Sequence, residues 1–177
     1  MSGVISNGIE LLRQLFVWMS ELDSSIALRG STYVAPWLQV LHVVSVSLFA
    51  GSVFLMDLRL VGLSSTRLPF SHVQRQLFPW QMAGIVGANL TGAGLLFANP
   101  MTYFANIIFW TKMIAMALAG LNALAFHFIT AATIGEWDSR PQLPPAAKLA
   151  GVLGLVLWTN VILAGRLMYY ANTWFRP

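Results

Sequence analysis

The chain has 177 residues, of which 57% are hydrophobic and only 9% charged, and its mean hydropathy is +0.69. Soluble domains use roughly a quarter charged residues, so this composition is that of an integral membrane protein. The formal net charge of +4 comes from ten Lys and Arg that lie mostly beside apolar segments, which argues against a nucleic-acid partner. The chain has no Cys, which excludes disulfides, Cys-ligated zinc and iron–sulfur clusters.

The first thirty residues combine regularly spaced apolar residues with polar ones. Apolar side chains recur every three or four positions from Ile5 to Ile26, and polar residues such as Glu10 and Arg13 fall between them. No Lys or Arg precedes Arg13, which is unlike a signal peptide. The pattern predicts one amphipathic helix over residues 5–28 that lies in the membrane interface. Residues 1–30 would then be distinct from a transmembrane domain at residues 31–177.

Four mainly apolar segments follow, and each is long enough to cross a bilayer. They are predicted at residues 33–56, 78–98, 103–133 and 147–170. The connection between the second and third segments is very short, which predicts a tight antiparallel hairpin. The predicted fold is therefore all-α: a polytopic, up-down four-helix transmembrane bundle preceded by the interfacial helix.

The distribution of basic residues predicts the orientation. The two longer connections and the start of the last span carry more Lys and Arg than the side of the membrane that holds the termini. By the positive-inside rule the longer connections are expected in the cytoplasm and both termini in the periplasm. The residues counted are Arg59, Arg67, Arg75, Arg140 and Lys148 against Arg13, Arg29 and Arg176.

Polar side chains inside the predicted spans are the main candidates for a functional site, because each is costly in hydrocarbon and usually faces a bundle interior. Counted from the span ends on the termini's side, His42, Asn89 and Lys112 each lie nine residues deep, or about 14 Å. Asn160 is expected a little deeper and Arg166 a little nearer the surface. The sequence predicts that these groups converge at one level.

A second polar set lies toward the other side of the predicted bundle. It comprises His127 and Asn122, with Gln81, His72 and the Asp57/Arg59 pair as possible neighbours. Asp57 and Arg59 are expected to mark a helix end and to pair with headgroups or with each other. His72 is expected to be an interfacial residue. His42 and His127 have an alternative role as packing residues, and Lys112 has the alternative of snorkelling to the surface.

An inward His in a four-helix bundle is similar to the architecture of transmembrane b-type cytochromes, in which two imidazoles bind one haem iron. His42 and His127 are the candidate metal ligands, and Lys112 and Arg166 the candidate partners of the propionates. However, His42 lies nine residues into its predicted span and His127 twenty-four into its own. That offset is about 22 Å, too far for both to bind a single iron. A quinone that hydrogen-bonds to His42 is the alternative ligand.

Several short motifs resemble a group of small bacterial inner-membrane proteins with four helices and no assigned function. The pattern is H-x(8)-G-x(5)-D-L-R-L-x-G, then P-W and T-G, then N-x-x-F-x-x-K and N-x-x-x-F-H. The resemblance implies a multi-pass protein of the bacterial inner membrane and marks polar positions, but it implies no activity. The matching residues are His42, Gly51, Asp57, Leu58, Arg59, Leu60, Gly62, Pro79, Trp80, Thr91, Gly92, Asn106, Phe109, Lys112, Asn122, Phe126 and His127.

These observations predict a membrane subunit that holds b-type haem or a quinone and passes electrons within a larger complex. The alternative is a non-redox scaffold that binds partner helices, pigments or lipids. A transporter is disfavoured because no pair of broken helices is present, and catalysis by this chain alone is not expected because no nucleophile–base motif is found. The candidate cofactor-binding residues are His42, His127, Lys112, Asn89, Arg166, Asn160 and Asn122, with His42 and His127 also as metal ligands.

Overall fold

A computed structural model of the protein describes residues 2–64, 68–130, 133–138 and 143–174, and all regular structure within these residues is helical. Four helices are long and apolar enough to cross a membrane, which confirms the predicted fold class and shows a multi-pass membrane protein. They are α3 (Val34–Val61), α4 (Phe70–Ala98), α6 (Ile107–Ala125, continued as a π-helical turn over Phe126–Thr130) and α8 (Pro145–Trp174).

Four shorter helices complete the described chain: α1 (Ser2–Glu21), α2 (Asp23–Gly30), α5 (Pro100–Phe104) and α7 (Ile134–Trp137). Three of the basic residues used to predict the orientation, Arg67, Arg140 and Arg176, lie outside the described residues. The orientation of the chain in the membrane stays a prediction.

The N-terminal region forms two helices, whereas the sequence predicted one. Leu22 has extended backbone angles, φ −66° and ψ 133°, which end α1 before α2 begins. Phe16 of α1 is buried, with its ring centroid 5.2 Å from that of Phe104 in α5. Ser25 of α2 is fully buried, and its hydroxyl donates to the Phe97 carbonyl at 2.7 Å. These contacts hold the N-terminal region against the end of the bundle.

The third span begins at Ile107 rather than at Tyr103. The Asn106 side chain accepts a hydrogen bond from Ile108 N at 3.0 Å and so caps α6, while Tyr103 belongs to the separate helix α5. Lys112 therefore lies five residues into its helix instead of nine, about 8 Å from the helix start.

The long helices form an open bundle. α3 packs against both α4 and α8, and α6 packs against α8, whereas the described parts of α4 and α6 do not form a packed pair. The predicted tight hairpin of the second and third spans is therefore wrong. Two asparagines explain why α6 stays with α8: Asn106 Nδ2 donates to the Met168 carbonyl at 3.0 Å and Asn122 Nδ2 to the Ala150 carbonyl at 2.9 Å.

The bundle end away from the termini is closed by an apolar cluster that includes Met56, Leu60, Phe70, Trp137 and Ala147. Asp57 and Arg59 lie buried beside it, only 8% and 5% exposed, so the expected contact with headgroups is wrong. The Arg59 guanidinium donates to the Leu68 carbonyl, and Asp57 lies against Gly154 of α8. The half of the bundle nearer the termini contains a cavity.

Candidate functional site

A cavity of about 70 Å³ lies among the four transmembrane helices in the half of the bundle nearer the termini. α3 contributes His42 and Phe49 to its lining, α4 contributes Asn89, α6 contributes Lys112 and α8 contributes Trp158. Three of the polar groups predicted to share one level therefore do meet. Residues of α4 and α6, which do not form a packed pair within the described chain, both line the cavity.

The hydrogen bonds around His42 assign the tautomer of its ring. His42 Nδ1 lies 2.9 Å from Thr91 Oγ1, and Thr91 Oγ1 lies 2.6 Å from the Gly87 carbonyl. A hydroxyl has one proton, which Thr91 donates to the carbonyl, so its oxygen must accept the proton of Nδ1. In the neutral ring Nε2 is then the acceptor. The backbone carbonyl of Ala88 in α4 is a further hydrogen-bond partner of the ring.

The residue after Thr91 makes room for the imidazole. A Cβ atom at Gly92 would lie 3.1 Å from His42 Cε1, tighter than ordinary side-chain contacts. The dipeptide Thr91-Gly92 thus both orients the ring and admits it. In the sequence both residues belong to the T-G motif, which predicts no role for Thr91. The signal that could have found it is a hydroxyl one helical turn after Gly87, where it can bond back to the carbonyl.

Lys112 enters the cavity from α6 and is partly buried. A Cβ atom at Gly165 of α8 would lie 3.8 Å from Lys112 Nζ, so the ammonium is beside a segment of helix that has no side chain. Among the described residues no acid forms an ion pair with Lys112, and none accepts a hydrogen bond from it. Its ammonium therefore carries three N–H donors that have no acceptor among the described residues.

Two aromatic rings form the inner wall of the cavity. Phe49 and Trp158 meet edge to face, with ring centroids 4.7 Å apart and planes at 79°. Phe49 is buried, and the pair separates the cavity from buried Asp57, which is two helical turns further along α3. The surface of the cavity is almost entirely apolar, so His42, Lys112 and Asn89 contribute to it mainly through carbon atoms.

Asn160 and Arg166 do not join this group, so their predicted convergence with His42 is wrong. Both are exposed. Asn160 follows Trp158 by two residues, a rotation of about 200° around the helix, and so lies on the opposite face of α8. The Arg166 guanidinium lies 5.7 Å from the Tyr170 ring centroid, a cation–π contact within the same helix. Asn122 joins α6 to α8, as described above.

The other two histidines also lie outside the cavity. His127 is exposed and its ring is in contact with that of Phe128. The residue before it, Phe126, packs inward against Phe70, and consecutive helical residues point about 100° apart. His72 is exposed and shares a hydrogen bond with Gln76. The arrangement therefore does not fit a haem held by two histidines, and no three His, Asp or Glu of the described chain form a metal site.

Comparison with known proteins identifies a family but no characterised relative. No curated protein and no solved structure matches the chain. A family model does match residues 16–171, which extend from α1 to the last turns of α8 and include every residue that lines the cavity. The protein therefore belongs to a family of unknown function, DUF6644.

Proposed function

We propose that the protein is an integral membrane subunit that holds a quinone in this cavity and passes electrons within a larger membrane complex. The observation that supports the proposal is that His42 and Lys112 both line one apolar cavity within the bundle. A quinone has a flat apolar ring that suits the apolar lining, and Lys112 would donate a hydrogen bond to one of its two oxygens. Its apolar tail would leave the cavity between α4 and α6.

Haem is the less favoured cofactor of the two predicted from the sequence. A b-type haem takes imidazole ligands on its iron, and cations near the surface suit its propionates. His42 is the single histidine in the cavity, and Arg166 lies on the outer surface of α8. A quinone needs no second histidine, so the described residues suit it better.

The setting we propose is the bacterial inner membrane, with both termini in the periplasm. The cavity holds no pair of catalytic carboxylates or nucleophile, so the chain would contribute a binding site and the redox partner would come from another subunit. A quinone would reach such a site by diffusion in the bilayer.

Binding of a quinone to the purified chain tests the proposal. The chain in lipid nanodiscs would be titrated with a short-tailed benzoquinone, with quenching of Trp158 fluorescence as the signal and Trp158→Phe as the control for its source. We expect saturable binding that His42→Ala and Lys112→Met each weaken. The matched controls are His127→Ala and Lys148→Met, which change exposed residues outside the cavity. Equal binding by all four variants would refute the site.

The visible spectrum of the same sample tests the haem alternative. A b-type Soret band in the purified wild-type chain that His42→Ala removes would favour haem over a quinone. A spectrum without such a band, together with quinone binding, is the result expected from the proposed function.

A non-redox scaffold is the second candidate, and a specific surface supports it. Leu11, Leu15 and Trp18 of α1 are 67%, 47% and 58% exposed and lie on one side of the helix, where they suit a membrane interface or a partner helix. If the scaffold is the main role, Leu11→Gln with Leu15→Gln should dissociate the native complex on a non-denaturing gel. His42→Ala would then leave both the complex and its electron transfer unchanged.

A further inference from the structure

We infer that the outward face of α8 is an interface between two copies of this chain, in which the Asn160 side chains of the two copies hydrogen-bond to each other. The inference does not depend on quinone binding, because this face lies on the side of α8 away from the cavity. It is carried by the position of Asn160 and by the spacing of the exposed residues around it.

The first observation is the place of Asn160 in its helix. α8 spans Pro145–Trp174, so Asn160 lies at the middle of the helix and hence near the middle of the membrane. It is exposed, and within the described part of the chain its amide forms no hydrogen bond. Asn89 of α4 is also exposed, but its amide donates to the Ile85 carbonyl of its own helix. An amide that faces acyl chains without a partner is costly, so Asn160 indicates a contact with another protein surface.

The second observation is the spacing of the exposed residues along α8. On the outward face they recur at alternating intervals of three and four residues, which is the heptad spacing of helices that pack side by side. Asn160 occupies position a of this heptad, and no charged residue occupies position a or d from Leu149 to Tyr170. The exposed members of the pattern are Leu149, Leu153, Val156, Asn160, Leu163, Leu167 and Tyr170.

A second copy of the chain is the partner that suits this face. All copies are inserted into the membrane in the same orientation, so two α8 helices that meet run parallel. In parallel pairs of helices a single Asn at position a fixes the register. An amide is both a donor and an acceptor, so the two Asn160 side chains can satisfy each other across a two-fold axis. A cation or a carboxylate at the same position would instead repel its own copy.

Cysteine cross-linking tests the contact, since the chain has no Cys of its own. Leu163→Cys places a thiol at position d of the heptad. Leu118→Cys is the matched control on α6, because Leu118 is 49% exposed and Leu163 is 55% exposed. In lipid vesicles under mild oxidation we expect a disulfide-linked dimer from Leu163→Cys and little from Leu118→Cys. Any result in which Leu163→Cys does not exceed Leu118→Cys would overturn the interface.

Asn160→Leu tests the hydrogen bond between the copies. In water such a change strengthens a heptad interface, but lipid is as apolar as leucine, so in a membrane the variant loses the amide pair and gains no burial. Energy transfer between donor-labelled and acceptor-labelled copies would be measured as the protein is diluted with lipid. The dissociation constant of the dimer should be at least about threefold higher for Asn160→Leu than for the wild-type chain.

Thr111→Val is the control for the loss of an exposed polar group from a membrane helix. The Thr111 hydroxyl bonds to the Ile107 carbonyl of its own helix, so its removal should leave the dissociation constant unchanged. If Asn160→Leu does not fold, Asn160→Ala removes the same amide. Asn160→Gln, which keeps an amide, should retain more of the dimer than either variant. A dissociation constant that does not change in Asn160→Leu or Asn160→Ala would overturn the role of Asn160.

The wild-type chain itself decides what covers this face. A purified chain that stays monomeric in vesicles at every protein-to-lipid ratio would overturn the pairing of two copies. A transmembrane helix of a different subunit would then be the occupant. The expected result is a monomer–dimer equilibrium that shifts toward the dimer as the lipid is reduced.

Discussion

Gly154 of α8 lies directly against the carboxyl group of Asp57 in α3, and a Cβ atom at position 154 would stand 2.7 Å from Asp57 Cγ. One helical turn earlier, a Cβ atom at Gly151 would stand 2.8 Å from Leu60 Cβ. The two glycines let the helix backbones approach closely around a side chain that is 8% exposed. Within the described chain Asp57 Oδ2 has no hydrogen-bond partner. Close packing against Gly154 therefore holds this carboxyl group in place.

The first prediction is that Gly154→Ala destabilises the bundle. The added methyl group has to displace α8 or Asp57, and overpacking of this kind costs about 1–3 kcal/mol. The midpoint of thermal unfolding in detergent micelles, read by circular dichroism, should fall. Gly120→Ala in α6 is the control, because no atom lies within 4 Å of a Cβ atom there. It should leave the midpoint unchanged or raise it slightly.

A double variant shows whether Asp57 is the cause. Asp57→Ala removes the carboxyl group that the new methyl would meet, so the double variant Asp57→Ala/Gly154→Ala should be more stable than the sum of the two single effects. A coupling of at least about 0.5 kcal/mol is expected for residues in contact. Strict additivity would mean that Gly154→Ala acts through another neighbour.

The second prediction is that Gly92→Ala weakens ligand binding and leaves the fold intact. The new methyl group would lie 3.1 Å from His42 Cε1, so the imidazole has to shift by a few tenths of an ångström and its bond to Thr91 must lengthen or bend. We expect quinone affinity to drop several-fold, which corresponds to about 1 kcal/mol, the net contribution of one hydrogen bond. Gly51→Ala, where a Cβ atom meets nothing within 4 Å, is the control for adding a methyl group to a membrane helix. Unchanged affinity in Gly92→Ala would contradict the close fit.

The apolar composition was sufficient to predict the four spans, because a helix that crosses a bilayer needs about twenty apolar residues wherever it packs. His42, Asn89 and Lys112 do line one cavity, as predicted, but the depth counted for Lys112 was wrong because α6 begins at Ile107. An apolar segment does not show where a helix starts when a capping residue such as Asn106 lies inside it.

Rotation and partner choice were the parts that the sequence did not reveal. Asn160 has a suitable depth but faces away from the cavity, and nothing in an all-apolar helix fixes which face is inward. The pairing of α6 with α8 depends on the amide bonds of Asn106 and Asn122 to carbonyls of another helix. The role of Thr91 depends on its distance from His42, which only the close approach of α3 and α4 determines.

The third prediction concerns the connection at the end of the bundle away from the termini. The Asp138 carboxylate accepts a hydrogen bond from Ser71 N at 2.9 Å and another from the Ser71 hydroxyl, so it caps the first turn of α4 from a distant part of the chain. Loss of such a cap typically costs about 1 kcal/mol. Asp138→Ala should lower the unfolding midpoint, and Asp138→Asn, which keeps an acceptor, should lower it less. Glu136→Ala, at an exposed position of α7, is the control. Equal effects of Asp138→Ala and Glu136→Ala would contradict the cap.

The last prediction is a pH effect in α1, on its polar face. Arg13 donates to both carboxylate oxygens of Glu10, at 2.7 and 2.9 Å, and this hydrogen bonding lowers the pKa of Glu10 below its ordinary value of 4.5. Because the pKa is lowered in the folded helix, the pair stabilises α1 above about pH 4.5, and the contribution is lost as the pH falls through the lowered pKa. Both side chains are about half exposed, so the effect on overall stability is small and the pKa itself is the quantity to measure.

In a carboxyl NMR titration in micelles, Arg13→Gln should return the pKa of Glu10 toward 4.5. Gln14→Ala, which removes the weaker hydrogen bond at 3.4 Å, should change it less. A pKa of Glu10 that does not respond to Arg13→Gln would mean that the ion pair is not formed in the membrane-bound chain.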